Sequence, residues 1–101
     1  MIDAIAQEQI WYDGAADTSW ADPKACDVVV PATGAKYSQA HYLGMLQKYK
    51  DFNVPIFNCE YACGATKVQH AYGESLKQGF VPYVSRRPLD RLTDTPPPGY
   101  N

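Results

Sequence analysis

Two glutamates are the residues of this sequence best suited to catalysis. Glu8 and Glu60 each follow a short run that is too apolar to lie on a protein surface. Two carboxylates that face each other across a cleft can hydrolyse a glycosidic bond, because one protonates the leaving oxygen while the other attacks the sugar or activates water. The alternative is that each glutamate is a solvated loop residue. The same placement after two strands favours a paired site, with Glu8 and Glu60 as catalytic residues.

Aromatic and acidic residues follow the first glutamate closely. Trp11, Tyr12 and Asp13 come within five residues of Glu8. Aromatic rings beside carboxylates suit sugars, whose C–H faces stack on the rings while their hydroxyls bond to acids. Trp11 can instead anchor a loop at the edge of the core. We predict these three residues to bind substrate.

The end of the third predicted strand is polar as well. Tyr83 lies in this strand and Arg86 follows it. The guanidinium of Arg86 can bind a carboxylate or an anionic substituent through two parallel hydrogen bonds. The alternative is a local salt bridge to Asp90. We include Tyr83 and Arg86 among the predicted substrate-binding residues.

The three cysteines do not form a recognisable metal motif. Cys59 and Cys63 are four residues apart, which differs from the usual zinc spacing. Buried free thiols are the default interpretation. A disulfide from Cys26 to one of the other two cysteines is the alternative, and it would fit an exported protein. No metal ion or cofactor is expected.

The composition limits the possible partners. The chain has 101 residues, and its 9 Lys+Arg against 11 Asp+Glu give a net charge of −2. Binding to a nucleic-acid backbone needs a basic surface, so no nucleic-acid partner is expected. No apolar run approaches the roughly 18–20 residues that a membrane span requires. The sequence therefore predicts one globular domain without a membrane span.

The apolar pattern predicts strands that alternate with helices. Strands are predicted over 2–7, 54–61 and 80–85, and helices over about 38–52 and 66–79. A loop is predicted over 11–36, with a short strand inside it at 26–30. A helical turn is predicted at 88–92. Strands separated by helices imply right-handed crossovers and a parallel sheet, which is the α/β class. Such sheets bind ligands at the carboxyl ends of their strands, where polar residues recur three times in this chain.

Both predicted helices carry start signals and an apolar stripe. Ser38 is the predicted N-cap of the first helix, and Thr66 with Gln69 forms a capping-box pattern in the second. The predicted buried stripes are Tyr42, Met45, Leu46, Tyr49 and Phe52 in the first helix, and Val68, Ala71, Tyr72 and Leu76 in the second.

Three segments of the chain resemble a known family. They are 2–8, 54–62 and 79–90, and they resemble the last third of the bacterial endo-α-1,4-polygalactosaminidase-related proteins, a group akin to glycoside hydrolase family 114. The third segment, which contains Arg-Arg-Pro-Leu-Asp, is the most specific. The resemblance extends from residue 2 to about residue 97. The aspartate-rich motif in the earlier strands of the family has no counterpart here.

The resemblance implies a fold and a function. The family has (β/α)8 barrels, which need about 250 residues, so about three βα units of a partial TIM barrel are expected over 1–94, with a Pro-rich tail at 95–101. The implied substrate is an α-linked (amino)galactan-type polysaccharide. Glu8 is the implied acid or base, and Glu60 and Tyr61 are implied cleft residues. An extracellular or cell-envelope location follows from the resemblance alone.

A fragment of a barrel has physical consequences. Three strands leave unpaired edges, which attract other strands. We therefore expect the remaining barrel strands or self-association to complete the sheet, and the piece alone to be inactive. The alternative function is a non-catalytic carbohydrate-binding or structural α/β module. A small self-sufficient domain of the flavodoxin kind is a third interpretation.

Overall fold

Three parallel strands form the main sheet in the computed structural model, which describes residues 4–89 and 92–98. In chain order the elements are β1 (Ile5–Glu8), β2 (Tyr12–Asp13), a 3₁₀ helix (Pro23–Ala25), β3 (Val28–Val29), α1 (Gln39–Asp51), β4 (Ile56–Tyr61), α2 (Ala65–Lys77) and β5 (Val81–Ser85). The strand order is β1-β4-β5, and both pairings are parallel. The predicted α/β class with a parallel sheet is confirmed.

The helices pack on one face of this sheet. Side chains alternate between the two faces along a strand, and the register pairs Ile5 with Ile56 on one face and Phe57 with Val81 on the other. The first face carries the core, which consists of Ile10, Trp11, Tyr12, Leu46, Ile56, Ala62, Val68, Ala71, Tyr72, Phe80 and Val84. On the second face, Phe57 and Val81 are each 49% exposed.

The predicted helix stripes are correct only in part. Leu46 is the buried member of the α1 stripe, whereas Phe52 follows the last helical residue and is 82% exposed. In α2, the prediction for Leu76 is wrong, because this side chain is 51% exposed. Ser75 is buried in its place, and its Oγ accepts a hydrogen bond of 3.3 Å from Asn58 Nδ2.

The two helices begin differently. Ser38 is the N-cap of α1, as predicted, and its Oγ accepts from the backbone N–H of His41 at 3.2 Å. The capping box predicted at Thr66 is wrong, because the N-cap of α2 is Gly64, without a side-chain cap of its own. Asp27 from a distant segment accepts instead from the backbone nitrogen of the N-cap residue Gly64 itself, at 3.1 Å.

A short ribbon and a disulfide organise the long loop. β2 and β3 pair antiparallel, so the short strand predicted at 26–30 is present at its centre. Cys26 and Cys63 form a disulfide across 37 positions of sequence, and Cys59 is free. The default interpretation of free thiols therefore holds for Cys59 alone. The disulfide fastens the ribbon to the segment that follows β4.

The chain after β5 is described in part. The helical turn predicted at 88–92 and the salt bridge from Arg86 to Asp90 both involve positions outside the described residues. The segment 92–98 lies beside β5, because the Thr93 hydroxyl donates a hydrogen bond to the Val84 carbonyl.

Candidate functional site

Glu8 lies at the carboxyl end of β1, as predicted, and its side chain is exposed. The register places Glu8 beside Cys59, so Tyr61, two residues further along β4, lies on the same face of the sheet. The Tyr61 hydroxyl donates a hydrogen bond to Glu8 Oε2. Burial raises the pKa of Tyr61, and the hydrogen bond to Glu8 raises it further. The phenol is therefore a fixed donor that orients the carboxylate.

Glu60 lies on the opposite face of the sheet and is 1% exposed. Its Oε1 accepts from the backbone nitrogens of Trp11 at 2.8 Å and Tyr12 at 2.9 Å. Its Oε2 accepts from the backbone nitrogen of Ile10 and from Asn58 Nδ2, both at 2.9 Å. The expected arrangement, in which Glu8 and Glu60 face each other across a cleft, is therefore not the one observed.

The contacts of Glu60 give this residue a structural task. Burial raises the pKa of Glu60, and the hydrogen bonds from three backbone N–H groups and one side-chain amide oppose that rise. All four donors are directed at the carboxylate from the protein interior. Glu60 therefore holds the backbone between β1 and β2 and has no surface at which a substrate could reach it.

The residues after Glu8 divide between the core and the surface. Trp11 and Tyr12 are buried, so they are not the sugar platforms that were predicted. Trp11 is a core anchor, which was the alternative interpretation. The Tyr12 hydroxyl instead forms a hydrogen bond of 2.8 Å with His70 Nδ1 on α2. Asp13 is half-buried, and its Oδ1 accepts from the Gly14 backbone nitrogen at 2.7 Å.

A cleft of about 410 Å³ opens beside Asp13. Gln9, Tyr37 and Tyr42 also line this cleft, and the sequence reasoning missed all three. Tyr42 belongs to the predicted buried stripe of α1, and its half-buried side chain packs against the core while it also lines the cleft. The position of Tyr37 beside the N-cap of α1 could have indicated a place at this cleft, since a helix between two parallel strands begins near the carboxyl ends of the strands.

Arg86 and Tyr83 are held by other parts of the chain. Arg86 Nη1 donates to the Trp20 carbonyl at 2.8 Å, and its guanidinium lies 5.2 Å from the centroid of the Trp20 ring. Its Nη2 is 3.7 Å from Asp94 Oδ2. The Tyr83 hydroxyl accepts from the backbone nitrogen of Thr93 at 3.0 Å. Arg86 therefore fastens the loop that contains Trp20, whereas Tyr83 faces the same side of the sheet as Glu8.

Cys59 lies between Glu8 and Tyr83 in the register of the sheet. Burial, and secondarily the charges of Glu8 and Glu60, raise the pKa of its thiol to about 12. The nucleophilic form of cysteine is the thiolate. The Cys59 thiol is therefore neutral at neutral pH.

One group of side chains has the composition of a metal site. The ligand atoms of Cys26, Asp27 and Cys63 lie within 4.8 Å of one another. The two sulfurs are bonded to each other, and the Asp27 carboxylate accepts from the backbone nitrogens of Cys63 and Gly64. With the disulfide formed, this group has no thiolate to offer a metal ion.

The fold and the site define a small α/β domain with a three-stranded parallel sheet, two helices and a polar rim at the carboxyl ends of its strands. Neither α1 nor α2 is long and apolar enough to cross a membrane, and no other helix of residues 4–89 and 92–98 is. Comparison of the chain with protein-family models, curated proteins and solved structures found no match.

Proposed function

We propose that the chain is the C-terminal part of a (β/α)8 glycoside hydrolase that acts on α-linked (amino)galactan-type polysaccharide. The observation that carries this proposal is the contact between Glu8 and Tyr61. Glu8 is exposed at the carboxyl end of a parallel strand, and the Tyr61 phenol fixes one of its oxygens. Within residues 4–89 and 92–98, no donor engages the other oxygen, Oε1. Glu8 can therefore present Oε1 to a substrate and transfer a proton there.

The arrangement of the sheet is consistent with part of a barrel. Helices cover one face, and the other face carries the exposed side chains of Ala6, Phe57 and Val81. Parallel sheets are normally covered on both faces. In the proposed hydrolase, this second face contacts the remaining barrel strands, and in the isolated chain a second copy can take their place.

The alternative is a non-catalytic carbohydrate-binding module, and the position of Glu60 favours it. Hydrolysis of a glycosidic bond ordinarily needs two carboxylates. Glu60 is committed to the backbone on the far face of the sheet, so it cannot be the partner of Glu8. A hydrolase must then take its second carboxylate from another residue, whereas a binding module needs none.

Reducing-end release from an α-1,4-linked galactosamine polymer separates these two functions. We expect the chain to bind the polymer. If the chain is catalytic without further strands, it should also release reducing ends, and Glu8→Gln should lower the rate of release by at least 100-fold. Glu74→Gln is the matched control, because the ion pairs of Glu74 within residues 4–89 and 92–98 are with His70 and Lys77, whose side chains are solvent-accessible. Release that depends on Glu8 supports the hydrolase, whereas binding without release agrees with both functions, because the isolated chain lacks the remaining barrel strands. Absence of both binding and release contradicts both functions.

A further inference from the structure

The cleft beside Asp13 lies between three parts of the chain. The residue that follows β1, Gln9, forms part of its lining, and the ribbon contributes Val29 and Val30. Tyr37 and Tyr42 contribute the remaining side, at the start of α1. All three parts lie at the carboxyl end of β1, which is the end that carries Glu8. The cleft therefore opens on the same rim as the candidate catalytic carboxylate.

Tyr37 is an exposed ring that its neighbours hold in place. It is 59% exposed. Its ring stacks on that of Tyr42, with an interplanar angle of 19° and 6.4 Å between centroids. Lys36 Nζ lies 5.3 Å from the Tyr37 centroid. Such contacts restrict the side chain before any ligand arrives, which reduces the entropy cost of stacking a ligand on it.

The cleft also contains two polar side chains. Asp13 Oδ1 accepts from the Gly14 backbone nitrogen, which orients the carboxylate. Gln9 Oε1 is buried and meets no donor among residues 4–89 and 92–98. Gln9 also has a φ of +50°, which is strained for a residue with a side chain. Backbone strain of this kind concentrates at ligand-binding positions.

We propose that this cleft binds one hexopyranose ring of a polysaccharide, with Tyr37 as the stacking face and Asp13 as the acceptor for sugar hydroxyls. The wall of valines suits the C–H groups of a sugar, and the Asp13 carboxylate disfavours anionic ligands such as phosphate. Gln9, the residue that directly follows Glu8 in the chain, lines the cleft, which places the subsite at the end of β1 that carries Glu8. The inference rests on the proposed function, because it makes the cleft a subsite of that polysaccharide.

Titration calorimetry with α-1,4-linked galactotriose and with the corresponding galactosamine trisaccharide tests the inference on the full chain. We expect Tyr37→Ala and Asp13→Asn each to weaken binding of at least one trisaccharide by tenfold or more. Phe52→Ala is the matched control, since it removes an exposed aromatic ring at the other end of α1 and should leave the affinity unchanged. Circular dichroism melting of each variant verifies that it is folded.

Two results would overturn the subsite. One is the absence of binding by the unmodified chain, and the other is an unchanged affinity in both folded cleft variants. Glu8→Gln distinguishes this failure from that of the proposed hydrolase. Binding retained in Glu8→Gln leaves the subsite intact whether or not the chain cleaves the polymer, and cleavage by the unmodified chain that Glu8→Gln loses supports hydrolysis separately.

Discussion

Replacement of Glu60 by glutamine distinguishes a structural carboxylate from a catalytic one. Glutamine has the length and shape of glutamate, but one oxygen becomes an NH₂ group that can only donate. In the folded chain each oxygen of Glu60 accepts two hydrogen bonds. Whichever way the new amide points, two buried N–H donors lose their acceptor and face another donor.

The size of the effect follows from those two donors. A buried donor without an acceptor costs about 1–3 kcal/mol, so Glu60→Gln should lower the free energy of unfolding by about 2–6 kcal/mol. Burial of the charge makes the net contribution of the carboxylate smaller than the sum of its four hydrogen bonds, as the raised pKa of Glu60 indicates. The cost of the substitution is nevertheless large, because the donors remain buried after the acceptor is removed.

Urea unfolding followed by circular dichroism measures this difference at neutral pH. Glu74→Gln makes the same chemical change at a solvent-accessible ion pair, where a loss of no more than about 1 kcal/mol is expected. If Glu60→Gln costs no more than Glu74→Gln, the structural role of Glu60 is refuted. A fully stable Glu60→Gln protein that has lost hydrolysis would instead restore Glu60 as a catalytic residue.

Three further predictions concern the cysteines. Replacing both Cys26 and Cys63 by alanine should lower the free energy of unfolding by about 3–4 kcal/mol, because the disulfide closes a loop of 37 positions. Urea unfolding with and without a reductant measures this difference. Equal stability of the variant and the unmodified chain would contradict the prediction. Cys59 should react with iodoacetamide at pH 8 far more slowly in the folded than in the unfolded chain, because its pKa is raised from 9.0 to about 12, and Glu8→Gln should speed the reaction. The pKa of Cys59 is higher in the folded chain than in the unfolded one, so the contribution of Cys59 to the free energy of unfolding is present below pH 9.0 and is lost as the pH rises toward about 12. Cys59→Ala should reduce this loss of stability at high pH.

The order of the elements follows from local signals in the sequence. The apolar runs of β4 and β5 and the N-cap Ser38 are determined by nearby residues, so both the parallel sheet and the start of α1 could be predicted. The start of α2 could not be predicted in the same way. Its N-cap residue, Gly64, has no capping side chain, and the Gly64 backbone nitrogen donates to Asp27, which is 37 residues away, so no local sequence pattern marks this start.

The two glutamates do not form a pair because the register of the sheet places them on opposite faces. Ile56, Asn58 and Glu60 occupy alternate positions of one strand, so they share a face, and Ile56 requires that face to be the buried one. The position of Glu8 within its own strand is different, because it pairs in register with Cys59. Side chains on neighbouring strands lie on the same face of a sheet only if the register pairs them directly or offsets them by an even number of residues. Glu8 pairs with Cys59, so it is offset from Glu60 by one residue.

The buried Glu60 is nevertheless connected to the exposed Glu8 through the backbone that follows β1. Glu60 accepts from the backbone nitrogens of residues 10–12, which are all of the residues between Gln9 and Asp13. Glu60 thereby fixes the path of the chain between Glu8, at the end of β1, and Asp13, which lines the cleft. Because Gln9 adopts a strained backbone in this segment, the segment needs an external restraint to hold its shape. Glu60 supplies that restraint from the core, so it stabilises the segment between Glu8 and Asp13 and does not itself line the cleft.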